Sequence, residues 1–419
     1  MTRDDVSERR TAWSVFSAAL AVRAAYAWHR GLPPLVADAA EYRFYARSLV
    51  ETGRYLGPQG EIAARMPGYP LFLAAVRVLF GDSVIAVVAA QCLLGALTCL
   101  LLYRLAQRLL PGPWPLVCGL LSAVYFGLVE PVSLVLSESL YSFFLVLSAW
   151  ALFHPRWRPV VRAAAFGVLS GALYLVRPEP LPYILATIAL TPFLWPAFGR
   201  KEIAAALAGL ALVAGVWIGR NFAHFHRFIP ASTAGKSVVY ISLYLPAARH
   251  GLAPEGRWFA PADMGELESE AQFTARFKEL ASRLTWRQLA SAYLFNGVSI
   301  LYPFLPAYDW TYMLVLPFAL VGLAVAVRRR ELWPAAMSVV FSLTIFTFCG
   351  GWASRYRQGV APFIILLGAA GMMAVDEKAG RVRFRAGASA WLVVNLLIWA
   401  GQAQVRQFAL WLRALAWGH

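Results

Sequence analysis

Apolar runs about as long as a bilayer is thick recur from one end of the chain to the other, and this recurrence restricts the fold most. A helix needs roughly 20 mainly apolar residues to cross the hydrocarbon core. Runs of this kind cover about 11–28, 84–106, 115–131, 133–153, 161–177, 180–198, 202–219, 311–327, 332–350, 359–375 and 387–404. Only 14% of the 419 residues are charged and 60% are hydrophobic, whereas soluble domains carry about 25% charge. The expected fold is therefore an all-α polytopic bundle of about 11 transmembrane helices. No small-residue cleavage site follows the first run, so it reads as a retained span and not a signal peptide. Two further pieces, 68–81 with Arg77 inside it and 289–306, read as interfacial or re-entrant.

The net charge is +16, from 38 Lys and Arg against 22 Asp and Glu. Basic residues gather in alternate loops: Arg9 and Arg10, Arg104 and Arg108, Arg156 to Arg162, Arg200 and Lys201, Arg328 to Arg330, and Lys378 to Arg385. This is the positive-inside pattern, so the excess orients spans in the cell inner or plasma membrane and calls for no nucleic-acid partner. The N-terminus is expected in the cytoplasm. The outer face then receives 29–83, the turn near Glu130, the turn at Arg177–Pro180, 220–310 and the turn at Ser354–Gln358. Loops as long as the first and fourth of these are usually functional when they are ordered. The tail 405–419 has the pattern of an amphipathic helix lying in the interface.

Several chemistries lack support. Cys92, Cys99, Cys118 and Cys349 lie in or beside apolar runs without ligand spacing, and read as small buried hydrophobes. His224 and His226 point apart on a helix with no third ligand nearby, so no metal site is expected. There is no GxxxxGK[ST] loop, no GxGxxG after a strand and no GxSxG elbow. Those absences argue against ATP-driven transport, dinucleotide chemistry and serine hydrolysis.

The informative charges are those on the outer face that orientation does not require. In "VADAAEYRFYARSL", Asp38 and Glu41 fit a capping box, while Asp38, Tyr42 and Tyr45 share one helix face. "ARMPGYPLF" is a stiff turn presenting Arg65 and Tyr69, which also suit interfacial snorkelling and an aromatic belt. "LSESLYSFF" puts Glu138 early in an inward-running span. A carboxylate there costs about 2.5–3.5 kcal/mol at mid-membrane, so it needs a partner or a wet cavity. Glu130, at the turn before it, reads as solvated. "YLVRPEPLPY" sets Arg177 beside Glu179, compatible with a simple surface pair. Arg220, Arg227 and Lys236 follow a later outward span, and "RYR" brings Arg355 and Arg357 to the last outer turn. Together they suit an anion near the outer leaflet, because the arginine fork matches phosphate.

Taken in order, DxxxY, RxPGYPLFLA, SESLY, LVRPE and RYR resemble the GT-C glycosyltransferases that use polyprenyl-phosphate sugars. The similarity is to protein mannosyltransferases, aminoarabinose transferases and rhizobial core-sugar transferases, and spans roughly 11–375. It implies a GT-C-like transmembrane domain over 1–404, with 29–83 as the outer catalytic loop and 220–310 as an outer acceptor or lid loop. It implies Asp38 as catalytic base, and Glu138 as the acid that positions or activates the acceptor. Arg65, Arg177, Arg220, Arg355 and Arg357 would hold the donor phosphate, with Tyr42, Tyr45, Tyr69 and Lys236 lining the cavity. The implied partners are a polyprenyl-phosphate sugar, a glycan, lipid or protein acceptor, and membrane lipids. No cofactor is implied, although some relatives use a divalent metal. Two departures stand out: Ala37 and Ala39 flank Asp38 where some relatives place a second acid, and the chain stops soon after its last span. A transporter or flippase of a lipid-linked sugar is the alternative. Transporters usually show repeats and charged or broken helices at mid-membrane, whereas no clear repeat is evident here and the unusual charges cluster at one face.

Overall fold

The computed structural model describes residues 3–249, 251–253, 264–305, 307–350 and 354–417. Helices follow one another with short breaks. The first half holds α1 (Arg3–Arg30), α2 (Asp38–Thr52), α3 (Gly68–Phe80), α4 (Val84–Leu109), α5 (Trp114–Val124), α6 (Phe126–Val129), α7 (Glu138–Leu152), α8 (Pro159–Val176), α9 (Leu181–Leu194) and α10 (Arg200–Phe225). The segment 220–310 contains α11 (Gly235–Arg249), α12 (Glu266–Arg283) and α13 (Trp286–Leu301); its residues 250, 254–263 and 306 lie outside the described residues. A two-stranded antiparallel pair, β1 (Phe304–Leu305) with β2 (Ala307–Tyr308), follows. The chain continues through α14 (Trp310–Arg328), α15 (Trp333–Cys349), α16 (Ala361–Ala379), α17 (Arg381–Ala400) and α18 (Gln402–Trp417).

Each predicted span coincides with a helix or a bent pair of helices. Among the described residues five helices are long and apolar enough to cross a membrane, or up to 7 if each bent pair is one span. The bent pairs are α5 with α6, at 64°, and α17 with the start of α18, at 84°. α7 and α9 are shorter apolar helices, as is α3. The expected C-terminal amphipathic helix is α18, with residues 418–419 outside the described residues.

The break after α5 has a local cause. Tyr125 is extended, and the Phe126 N–H donates to Thr311 Oγ1 at 2.9 Å. Thr311 in turn donates to Asp309, which caps α14 by accepting from the Tyr312 N–H at 2.9 Å. α14 and α16 approach so closely that a Cβ at Gly322 or Gly371 would overlap the carbonyl of Leu367 or Phe318. Small residues of this kind let helices meet backbone to backbone where lipid gives no hydrophobic drive.

A charge also lies deep in the first helix. Arg23 of α1 is 0% exposed. Its guanidinium donates to the carbonyls of Ala19 and Ala123 at 3.1 Å and of Ser122 at 3.2 Å. An arginine at that depth persists only where acceptors replace its water.

Candidate active site

Asp38 opens α2 but does not cap it. The cap position is Ala37, with φ 48° and no side-chain hydrogen bond to the helix. A non-glycine residue at positive φ costs of order 1 kcal/mol, and such strain gathers at functional sites. The expected capping box is thus absent, and both acids are engaged elsewhere. Arg65 Nη2 lies 2.8 Å from Asp38 Oδ1, and Arg355 Nη2 lies 2.9 Å from Asp38 Oδ2. The same Arg65 nitrogen reaches Glu41 Oε2 at 2.6 Å.

Arg65 comes from the loop between α2 and α3. The Tyr55 hydroxyl donates to the carbonyls of Arg65 and Met66 at 3.1 and 3.3 Å, which fixes the backbone at that point. Gly68 then lets α3 begin against the end of α8, where a Cβ would come within 2.7 Å of the Leu175 backbone. The residue two places beyond Leu175 is Arg177. The Arg65 loop and Arg177 are therefore fixed relative to each other through one glycine.

Arg177 makes the second ion pair. Its Nη2 lies 2.7 Å from Glu138 Oε1, and its Nε donates to Ser137 Oγ at 2.8 Å. Glu138 is 2% exposed, so the partner its depth demanded is present. Glu179 stands 3.9 Å from Arg177, and its side chain is 9% exposed. This corrects the simple surface pair: Arg177 serves Glu138 first, and both acids are largely enclosed. Glu130 also departs from expectation. It is 9% exposed and accepts from Gln358 Nε2 at 2.8 Å.

Tyr42 joins the two pairs. Arg65 lies over its ring at 5.4 Å, and Tyr69 meets it edge-on at 5.0 Å. The Tyr69 hydroxyl donates to Gln91 Oε1 at 2.8 Å, and Gln91 is tied to the carbonyls of Val132 and Leu134 just before α7. Burial raises the Tyr42 phenol above its ordinary range, so it stays protonated.

Electrostatics separate the acids. Burial works against the Asp38 carboxylate, yet Arg65 and Arg355 outweigh it and hold the group below the usual carboxylate range. Burial pushes Glu179 up to about 7, despite Arg177. For Arg65, Arg177 and Arg355 burial is likewise overcome, and nearby acids and phenols hold each guanidinium more firmly protonated. Four carboxylates (Asp38, Glu41, Glu138 and Glu179) thus face three guanidiniums, each of which has an acidic partner. Any anion binding here competes with those acids.

Solved structures share this arrangement of helices. The archaeal oligosaccharyltransferase AglB from Archaeoglobus fulgidus, in complex with an inhibitory peptide and a dolichol-phosphate, superposes with a TM-score of 0.54 at 13% identity, over 95% of this chain and 54% of that one. The apo form of the Archaeoglobus fulgidus enzyme gives 0.51 at 14% identity, over 93% and 54%. The chain therefore shares the membrane-helix fold of these oligosaccharyltransferases. The chain spans about half the length of those oligosaccharyltransferases. ArnT from Cupriavidus metallidurans bound to undecaprenyl phosphate matches at 14% identity over 89% of this chain and 79% of that one, with a TM-score of 0.40 that bears no weight. No protein-family model matches the sequence, and neither does any curated protein.

On this scaffold the predicted residues divide. Asp38, Arg65, Arg355, Tyr42 and Tyr69 form one connected cluster, and the Glu138–Arg177 pair acts on it electrostatically through Tyr42 and Arg355. Arg357 has its partners elsewhere: the carbonyls of Ile300 and Tyr302 at 3.0 and 2.6 Å, Asp309 at 3.4 Å and the Tyr312 ring at 4.0 Å. It fastens the turn that carries Arg355 to α13 and α14. Arg220 donates to the Ile62 carbonyl at 2.5 Å and stacks on Trp217, so it supports the Arg65 loop and does not touch Asp38. Tyr45 is fully buried and stacked on Tyr55 at 4.5 Å. Lys236 is exposed near the start of α11. The sequence reading missed Glu41 as an ion partner, Asp309 as the anchor of Arg357, and Arg23. For Arg23 the signal was present, since it interrupts the first apolar run.

Proposed function

We propose that the protein is an integral membrane glycosyltransferase that moves a sugar from a polyprenyl-phosphate donor to an extracytoplasmic acceptor, with inversion at the anomeric carbon. The observation that carries this reading is Asp38 held between Arg65 and Arg355 on a GT-C-like fold, with the Glu138–Arg177 pair acting electrostatically on Arg355. An acceptor hydroxyl or amine attacks the anomeric carbon while the bond from that carbon to the phosphate oxygen breaks. The acceptor proton passes to Asp38, and such general-base catalysis contributes typically about 10²–10⁴-fold. The electron pair stays on the polyprenyl phosphate, whose second negative charge develops as it departs. Arg65 and Arg355 are the donors placed to meet it, at about 3–4 kcal/mol for one preorganised donor.

The paired state before donor binding has a chemical consequence. Asp38 is ionised but weakly basic while two guanidiniums hold it. A donor phosphate that takes over Arg65 and Arg355 loosens that hold and raises the basicity of Asp38 when the acceptor needs it. Among the described residues no three His, Cys, Asp or Glu side chains are placed to hold a metal ion together, and each Asp38 oxygen faces an arginine.

The test is transfer from radiolabelled undecaprenyl-phosphate sugars to a membrane extract by protein in nanodiscs. Glycosylated product with wild type and its loss in Asp38→Asn are expected. Equal transfer by the variant would remove Asp38 from the base role. Movement of lipid-linked sugar across liposomes, with no product from any donor, would replace the transferase by a transporter.

A further inference from the structure

We infer that Glu266 is a positioning residue, clamping the backbone just before Arg65 so that the grip of Arg65 on a donor depends on the seating of the 220–310 segment. The inference rests on the donor reading above and adds a residue to it. Glu266 is the first residue of α12. Its Oε2 accepts the Ile62 N–H at 2.9 Å, and its Oε1 accepts the Ala63 N–H and the Thr233 hydroxyl, both at 2.9 Å. The carbonyls of the same two residues are also bonded from this side. Arg220 donates to Ile62, and the Thr233 N–H donates to Ala63 at 3.0 Å. All four backbone polar groups of Ile62 and Ala63 are thus held by residues between 220 and 266.

Hydrogen bonds from backbone amides to a carboxylate are about twice as strong as neutral ones, and two on adjacent amides also fix direction. α12 itself is packed through Phe273 and Leu280 onto Tyr240 and Leu243 of α11, in a core cluster separate from that of the bundle. Any rearrangement of α11 and α12 therefore pulls on Glu266, and through it on the chain two residues before Arg65. Catalytic geometry is sensitive at this scale, since a displacement of about 1 Å can cost about 10²-fold.

Full-length Glu266→Ala, Glu266→Gln and Glu266→Asp in nanodiscs test this. Hydrogen exchange of peptides covering 57–66 should rise in Glu266→Ala while α4 and α16 stay protected. Its Kd for undecaprenyl phosphate should weaken by about tenfold to 100-fold. Glu266→Gln, able to accept only one of the two amides, should fall between, and Glu266→Asp should recover part of the affinity. Unchanged exchange in 57–66 would overturn the clamp. Exchange raised in every helix would reduce Glu266 to a general stability role. A loosened loop with wild-type donor affinity would break the link to Arg65. A wild type that binds no polyprenyl phosphate would sink the donor reading, while the exchange result would still decide the clamp.

Discussion

Asp38 and Arg355 stand 317 positions apart in the chain and meet at 2.9 Å. Arg65 occupies the other oxygen of the same carboxylate at 2.8 Å. On the proposed function, the acid and the donor phosphate draw on the same two guanidiniums. Removing the charge of Asp38 should therefore have two opposite effects. In Asp38→Asn, kcat should fall by about 10²–10⁴-fold with the loss of the base, while undecaprenyl phosphate should bind more tightly because the arginines are released. Single-turnover kinetics and a lipid-binding titration separate the two. Weaker binding in the variant would mean that Asp38 orders the arginines and does not compete for them.

Glu179 makes stability depend on pH. Its carboxyl rises from an ordinary 4.5 to about 7 in the folded chain. Between those values the folded state holds a proton that the unfolded state has released, so stability falls as pH rises through that window. The size is at most about 3.5 kcal/mol, from about 1.4 kcal/mol per pKa unit. Asp38 works in the opposite sense, below its ordinary range, where a depressed carboxyl loses stability as pH falls. Melting temperatures of protein in nanodiscs between pH 5 and 7.5 should decline for wild type and stay flatter for Glu179→Gln. Parallel curves would place the titration elsewhere.

Much of the fold was legible because lipid permits so few solutions. A backbone in hydrocarbon has to satisfy itself within one helix, so runs of apolar residues map directly onto helices. The bends were not legible: whether 115–131 is straight depends on Thr311, far along the chain, receiving the Phe126 N–H. The acids and arginines of the candidate site were singled out by asking which charges topology leaves unexplained. Their pairing was not found, because sequence neighbours suggested local solutions. Asp38 with Glu41 looked like a cap, and Arg177 with Glu179 like a surface pair. In the folded chain Asp38 instead shares Arg65 with Glu41 and reaches Arg355, while Arg177 turns to Glu138. Arg357 shows the converse, a residue of the right type in the right turn whose donors serve Asp309 and two carbonyls.

The Arg177–Glu138 pair makes a thermodynamic cycle possible. Glu138 is almost fully enclosed, and one of its oxygens already lacks a hydrogen-bond partner. Removing Arg177 strands that charge, at a cost of about 3–5 kcal/mol when a buried pair is broken from one side. Arg177→Met should therefore lower the melting temperature sharply. Glu138→Gln combined with Arg177→Met should be closer to wild type in stability, though poor in transfer. Additive losses in the double variant would show that the two side chains stabilise the fold independently.

Gly68 ties the Arg65 loop to Arg177, and its replacement tests whether that distance matters. A methyl group at this position meets backbone atoms of Leu175 and Val176 at 2.7 Å, and backbone cannot swing aside as a side chain does. Overpacking of this kind costs about 1–3 kcal/mol. Gly68→Ala should thus destabilise the protein, and it should also weaken donor binding by moving Arg65 away from the end of α8. Gly215 is the control. It lies within α10, and a methyl group there would have nothing within 4 Å, so Gly215→Ala should be neutral or stabilising by up to about 1 kcal/mol through helix propensity. Thermal melts in nanodiscs and undecaprenyl phosphate titration read both effects. If Gly68→Ala melts lower but binds the lipid as wild type does, the close approach serves packing alone, and the spacing of Arg65 from Arg177 is not what selects the donor.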